Sequence, residues 1–159
     1  IARPEGYRAH MEPGISAEDC LYADLGIDPG TAGCQHYEAS QFLFYKRRID
    51  PTAYLVLWQA GVTGDQTLAR FSTGAEYRRV LVDLLARDYP LDHEVIIYRA
   101  ATLPIEEPRI ERVALGRLPD AAVELPDTIV MPPVGRPPVN YAVLRRLSHL
   151  DRARNKHQN

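Results

Sequence analysis

Hydrophobic positions along the chain change period several times, and each change marks an element. Residues 54–59, Tyr-Leu-Val-Leu-Trp-Gln, make a short and nearly continuous apolar run rich in β-formers. Such a run predicts a strand covered on both faces. A second run spans 94–100 and is apolar from Val95 to Tyr98. Residues 109–114 read as a third strand, and 128–131 as a fourth, closed by Pro132-Pro133. A further short strand is expected at 7–11, before a turn at Pro13-Gly14.

Between these runs the period is helical. Ser16 is a good N-cap, and Asp19 three residues on completes a capping-box pattern. Ala17, Cys20, Leu21, Ala23, Asp24 and Leu25 follow at helical spacing until Gly26 ends the run. Residues 28–33 read as a loop. A short helix is expected at 37–45, with Ala39, Phe42 and Leu43 apolar and Lys46-Arg47-Arg48 suiting its C-terminal dipole. The clearest helix is 74–89, with Tyr77, Val80, Leu81, Leu84 and Leu85 as its apolar face. Residues 115–118 form a helical turn stopped by Pro119, and 140–150 a last helix capped by Asn140. Strands alternate with helices, which predicts an α/β fold with a mixed sheet and flanking helices.

Composition narrows the class. The chain has 159 residues, 45% hydrophobic and 25% charged, enough for one packed domain or a large piece of one. A formal net charge of -2 gives no overall attraction to nucleic acid or to a membrane surface. The basic stretch 145–156 reads as a solvated terminal helix, and residues 151–159 as a basic flexible tail; docking to an acidic partner is the alternative. Two cysteines, Cys20 and Cys34, make no disulfide framework and suit a reduced, cytoplasmic location. No apolar run reaches transmembrane length. The opening Ile1-Ala2-Arg3-Pro4 has no leader character and reads as the middle of a protein, so truncation is expected.

Several kinds of chemistry find no motif. Cys20, Cys34 and His36 match no zinc spacing, so no metal site is expected. No Gly-x-Ser-x-Gly elbow, Walker motif or Gly-x-Gly-x-x-Gly is present. His10, His36, His93, His149 and His157 are scattered, without a neighbour at catalytic spacing. Glu18 and Asp19 are adjacent on a helix and point apart, Asp19 to cap and Glu18 to the dipole. Strand ends say more, because ligands of open α/β sheets bind outside them. Small or polar residues stand at three: Gln59-Ala60-Gly61, Ala100-Ala101-Thr102, and Asp127-Thr128 at the start of the last strand.

A longer pattern is distinctive. The segment Met11-Glu12-Pro13-Gly14-Ile15-Ser16-Ala17-Glu18-Asp19-Cys20-Leu21-Tyr22-Ala23-Asp24-Leu25-Gly26-Ile27-Asp28-Pro29 resembles the Pro-Gly-x-Ser segment of tetrapyrrole methylases. Its form is that of the borosin-type peptide backbone α-N-methyltransferases. The similarity continues through Gly33-Cys34-Gln35, Tyr37-Glu38-Ala39-Ser40-Gln41-Phe42-Leu43, Leu55-Val56-Leu57-Trp58-Gln59-Ala60-Gly61, Tyr98-Arg99-Ala100-Ala101-Thr102-Leu103-Pro104 and Met131-Pro132-Pro133.

The resemblance implies the C-terminal lobe of a two-lobed, S-adenosylmethionine-dependent methyltransferase, spanning residues 1–150. Positions matching the family's cofactor contacts are Ser16, Ala17, Gln59, Ala100 and Thr128, the alanines acting through backbone groups and small size. Asp127 stands where relatives carry a small polar residue. The family's first-lobe glycine loops, and the tyrosines and arginine held to promote amide methylation, have no counterpart here. The catalytic residues are therefore expected in a missing first lobe, and this chain alone is expected to be inactive. No apolar substrate tail follows the last helix, so the resemblance implies a peptide substrate supplied in trans, and a homodimer. The alternatives are a lobe of a porphyrinoid-ring methylase and a non-catalytic dimerisation or binding module.

Overall fold

The computed structural model describes residues 14–67, 69–103 and 105–156, with side chains to residue 152. The strand expected at 7–11, with His10 and His157, lies outside the described residues.

Five strands form one mixed sheet: β1 (Cys34–Glu38), β2 (Tyr54–Trp58), β3 (Glu94–Arg99), β4 (Arg109–Ala114) and β5 (Thr128–Met131). Their order is β1-β2-β5-β3-β4. β1 runs parallel to β2, and every other neighbouring pair is antiparallel. The α/β class and the four strands predicted within the described residues are as read from the sequence.

β1 is an addition. Residues 37 and 38 were expected to open a helix, but α3 (Ala39–Phe44) starts only after the strand. β1 is an edge strand with every residue half-buried, so Cys-Gln-His-Tyr-Glu carries no apolar run. Only pairing with β2 makes it a strand, and that partner is distant in sequence.

α1 (Ala17–Leu25) begins and ends as its sequence predicts. The Ser16 hydroxyl accepts from the Asp19 backbone N–H, the Asp19 carboxylate accepts from the Ser16 N–H, and Gly26 is left-handed at φ 64°. The expected 28–33 loop contains one helical turn, α2 (Pro29–Ala32), capped by the Asp28 side chain. α4 (Ala75–Leu85) is shorter than predicted and rotated from its most apolar stripe. Val80 is exposed, whereas Arg78, Leu81, Val82 and Leu85 are buried. The last helix, α5 (Tyr141–Lys156), runs past Leu150, with the Asn140 side chain accepting from the Val143 N–H at 3.1 Å. Two 3-10 segments complete the chain: Ala60–Val62 after β2, and Leu115–Asp120, which continues through Pro119.

The sheet is covered on both sides, which explains the apolar strands. Alternate residues Leu55, Leu57, Val95, Ile97, Ile129 and Met131 face α3, α4 and the Leu115–Asp120 turn. Val56, Ile96, Tyr98 and Val130 face α1 through Leu21, with Tyr22 and Leu25 beside it. At about 25 cal/mol per Å² of apolar surface, burying each large side chain contributes about 1.5–3 kcal/mol relative to leaving it exposed.

Topology gathers the strand ends. The parallel pairing of β1 with β2 sets Glu38 beside Trp58. The antiparallel pairings set Leu57 beside Ile129, Tyr98 beside Thr128, and Arg99 beside Arg109. The carboxyl ends of β1, β2 and β3 thus share one margin with the amino ends of β4 and β5.

Candidate functional site

A cavity of about 670 Å³ opens at this margin. Ala17 at the start of α1, Ala100, Ala101 and Thr102 after β3, and Pro126 and Thr128 at β5 give it a wall of small residues. Arg99, Arg109, Glu106 and Glu107 supply charge. Its volume suits a small-molecule ligand held by a few convergent polar groups.

α1 is fastened where this wall needs it. Tyr98 is buried, and its hydroxyl donates to the Asp24 carboxylate at 2.7 Å, tying the helix to β3. Burial first, and then the Asp24 carboxylate, pushes the Tyr98 phenol well above its ordinary range, so it stays a donor. Further out, the Tyr22 hydroxyl lies 2.7 Å from both the Glu18 carboxylate and the His36 ring. That ring stacks on Trp58 at 5.8 Å between centroids. The sequence left His36 without a neighbour; the packing of α1 on β1 provides one.

The loop beyond β3 is shaped by Glu106. Its carboxylate accepts from the Thr102 N–H at 3.1 Å, the Thr102 hydroxyl at 2.7 Å and the Leu103 N–H at 3.2 Å. The Thr102 hydroxyl, followed by these backbone N–H groups, holds the Glu106 acid below the usual carboxylate range.

The cavity wall contains a charge cluster that sequence reading missed. Arg99 and Arg109 face each other across β3 and β4. Like charges directly opposite on neighbouring strands repel. Asp127, fully buried, lies between them. Its carboxylate accepts from Arg99 Nε at 2.7 Å, Arg109 Nη1 at 2.7 Å and the Glu124 N–H at 2.7 Å. Arg99 Nη2 also lies 2.8 Å from the Glu124 carboxylate. The hydrogen bond to Asp127, outweighing burial, raises the Arg99 pKa, so its charge is permanent. Strand register was the missing signal: two arginines ten positions apart are unrelated until a hairpin pairs them.

Of the five cofactor positions implied by the resemblance, Ala17, Ala100 and Thr128 line this cavity. Ser16 precedes Ala17 in the chain, but its hydroxyl and N–H are committed to Asp19, at 3.0 and 2.7 Å. Gln59 lines a separate cavity of about 250 Å³ with Glu38, Ser40, Val62, Asp65, Arg70, Phe71 and Leu125. It has φ 56°, a left-handed conformation uncommon for a residue with a side chain. The Ala60 N–H donates to the Asp127 carbonyl at 2.8 Å, so the Gln59 corner and the β5 start are joined through backbone. Among the described residues no group of three or more His, Cys, Asp or Glu side chains could hold a metal ion. No helix among them is long and apolar enough to cross a membrane.

No family model matches the chain. Whole sequences do. The methyltransferase/ribosomally synthesized cyclic peptide gymnopeptides precursor of Gymnopus fusipes is 42% identical over 156 residues, which is 94% of this chain and 37% of that protein. The corresponding omphalotin A precursor of Omphalotus olearius is 42% identical over 157 residues, with the same coverage. A type I borosin cyclic peptide precursor of Coprinopsis marcescibilis is 49% identical over 120 residues, covering 74% of this chain and 31% of that one. This chain is a homologue of the borosin-type methyltransferases. It spans about a third of the length of these relatives. The methyltransferase CobJ shares the fold, with a TM-score of 0.54 at 17% identity over 87% of this chain and 57% of CobJ. The borosin resemblance read from the 11–29 segment and the later motifs is therefore matched by whole-sequence similarity, and the tetrapyrrole-methylase-like fold by the CobJ structure.

Proposed function

We propose that this chain is part of an S-adenosylmethionine-dependent methyltransferase that N-methylates backbone amides of a peptide. The observation that carries this reading is the cavity at the common strand margin, where Ala17, Ala100 and Thr128 converge. Three segments distant in sequence meet there, and each was implicated by the resemblance.

The residues present fit the donor. Small side chains at Ala17, Ala100 and Ala101 leave room for a purine ring against backbone. Thr102, Thr128 and the acidic side chains of Glu106 and Glu107 offer polar partners to ribose and amino groups. When bound, S-adenosylmethionine supplies an electrophilic methyl on a sulfonium sulfur. This chain's residues bind and orient; a poorly nucleophilic amide nitrogen must be aligned by groups elsewhere in the protein. A homodimer fits the last helix, where Tyr141, Val143, Leu144, Leu147 and Leu150 are all exposed. A cytoplasmic setting completes the reading.

Calorimetric titration of the full-length protein with S-adenosylmethionine tests it, with Ala100→Leu as the variant. Leucine at this position fills the wall of the cavity, and at least tenfold weaker binding is expected. Unchanged affinity would show that the donor binds elsewhere. Mass spectrometry of co-expressed peptide would then read the methyl transfer itself.

A further inference from the structure

α1 carries Ala17 into the cavity wall on its first turn, yet that turn has little to hold it. Of the helix's residues only Leu21 is fully buried, with Tyr22 and Leu25 packed beside it. These large apolar contacts all lie beyond the first turn, and Ile15 ahead of it is exposed. The capping box joins Ser16 to Asp19 within the helix and does not tie it to the sheet. The Tyr98–Asp24 hydrogen bond fastens the far end. The tie nearest Ala17 starts at Glu18 and runs through Tyr22 to His36 of β1.

A proton count gives this tie its direction. The Tyr22 hydroxyl lies 2.7 Å from the Glu18 carboxylate and 2.7 Å from His36 Nε2. Burial first, and then the Cys34 and Glu18 side chains, push the Tyr22 phenol well above its ordinary range, so it keeps its proton. A phenol donates once, and the carboxylate only accepts. The Tyr22 proton therefore goes to Glu18, and Nε2 must bring its own proton and donate to the phenol oxygen. Glu18, 3.4 Å from Nε2, favours a proton on that nitrogen. Among the described residues the other ring nitrogen, Nδ1, is buried without a partner, so the polar role of the ring rests on Nε2. The ring is set in place by stacking on Trp58, the last residue of β2.

We propose that His36 is a positioning residue of the donor cavity: donating through Nε2 to Tyr22, it holds the Glu18 end of α1 against the sheet, and with it Ala17 in the cavity wall. The inference rests on the reading of this cavity as the donor site. One net hydrogen bond biases the held position of the turn over a displaced one by about fivefold, which bounds the loss of affinity when the bond is removed.

Calorimetric dissociation constants for S-adenosylmethionine on the full-length protein test it. His36→Phe keeps a flat ring on Trp58 but has no donor, and should weaken binding by about three- to fivefold. His36→Gln places an amide N–H where Nε2 stood and should restore most of the loss. Tyr22→Phe removes only the receiving oxygen and should weaken binding to the same degree, with no further loss when His36→Phe is added. Tyr22→Phe also reads the inference where His36→Phe fails to fold. Wild-type affinity in Tyr22→Phe overturns the inference, as does a loss in His36→Phe that His36→Gln leaves unrestored, since the ring would then act by packing alone. Donor binding that Ala100→Leu leaves unchanged overturns the donor-site reading instead, and this inference with it.

Discussion

Replacing Arg78 by methionine should cost about 3 kcal/mol of folding stability, although no carboxylate pairs with this buried cation among the described residues. Arg78 is 8% exposed, on the inner side of α4. Its Nη1 donates to the Thr73 carbonyl at 3.2 Å. Its Nη2 donates to the Pro119 carbonyl at 3.0 Å and the Ala121 carbonyl at 3.2 Å. Three acceptors from two loops therefore depend on one guanidinium. Each such bond contributes about 1 kcal/mol net, and each buried carbonyl left unpaired costs about 1–3 kcal/mol. Relief of the guanidinium's own desolvation offsets part of this loss, which leaves about 3 kcal/mol. Urea unfolding followed by circular dichroism is the assay. With a slope of about 2 kcal/mol per molar, the midpoint should fall by about 1.5 M. Arg78→Lys should recover only part, because an ammonium lacks the planar fork that reaches both loops. A methionine variant whose midpoint moves by less than about 0.3 M would refute the reasoning. The effect should reach the site, since Ala121 begins the stretch that leads to Asp127.

A β-carbon at Gly61 would lie 2.2 Å from the Glu124 carbonyl carbon and 2.4 Å from the Leu125 nitrogen. Gly61→Ala should therefore cost about 3 kcal/mol and weaken donor binding together; a stable variant with normal binding would contradict this. The Thr67 hydroxyl, ahead of the Thr67 and Arg70 N–H groups, holds Asp65 down to about 2 from its ordinary 3.8. A depressed folded-state value means a contribution that is full above about pH 4 and is lost as pH falls towards 2. Asp65→Asn should flatten the acid limb of a pH–stability curve in that window, and an unchanged limb would exclude the role. The isolated chain, given S-adenosylmethionine and peptide, should show no methyl transfer by mass spectrometry; turnover would mean that it holds its own catalytic residues.

The wall of the cavity was partly legible before folding was considered. Ala17, Ala100 and Thr128 were reached through a resemblance and through the rule that ligands sit at strand ends. Gln59 was reached in the same way, yet its side chain lines a different cavity. A strand end was readable there; the direction of the residue after it was not. A left-handed backbone at Gln59 turns the chain into the Ala60–Val62 segment, where the Ala60 N–H meets the distant Asp127 carbonyl.

Sequence alone determined the elements whose signals are local. The Ser16–Asp19 capping box, the Gly26 stop and the apolar β2, β3 and β5 strands rest on interactions within a few residues or on simple burial. Tertiary structure decided what depends on distant partners. β1 became a strand because β2 supplied its hydrogen bonds, and α4 turned towards Val82 and Arg78 because loop carbonyls needed a donor. The Arg99–Asp127–Arg109 cluster arose from the register of β4 on β3 and the place of β5 beside it. Hydrophobic period encodes which side of an element is buried, whereas charge pairing across strands depends on register, which no single segment carries.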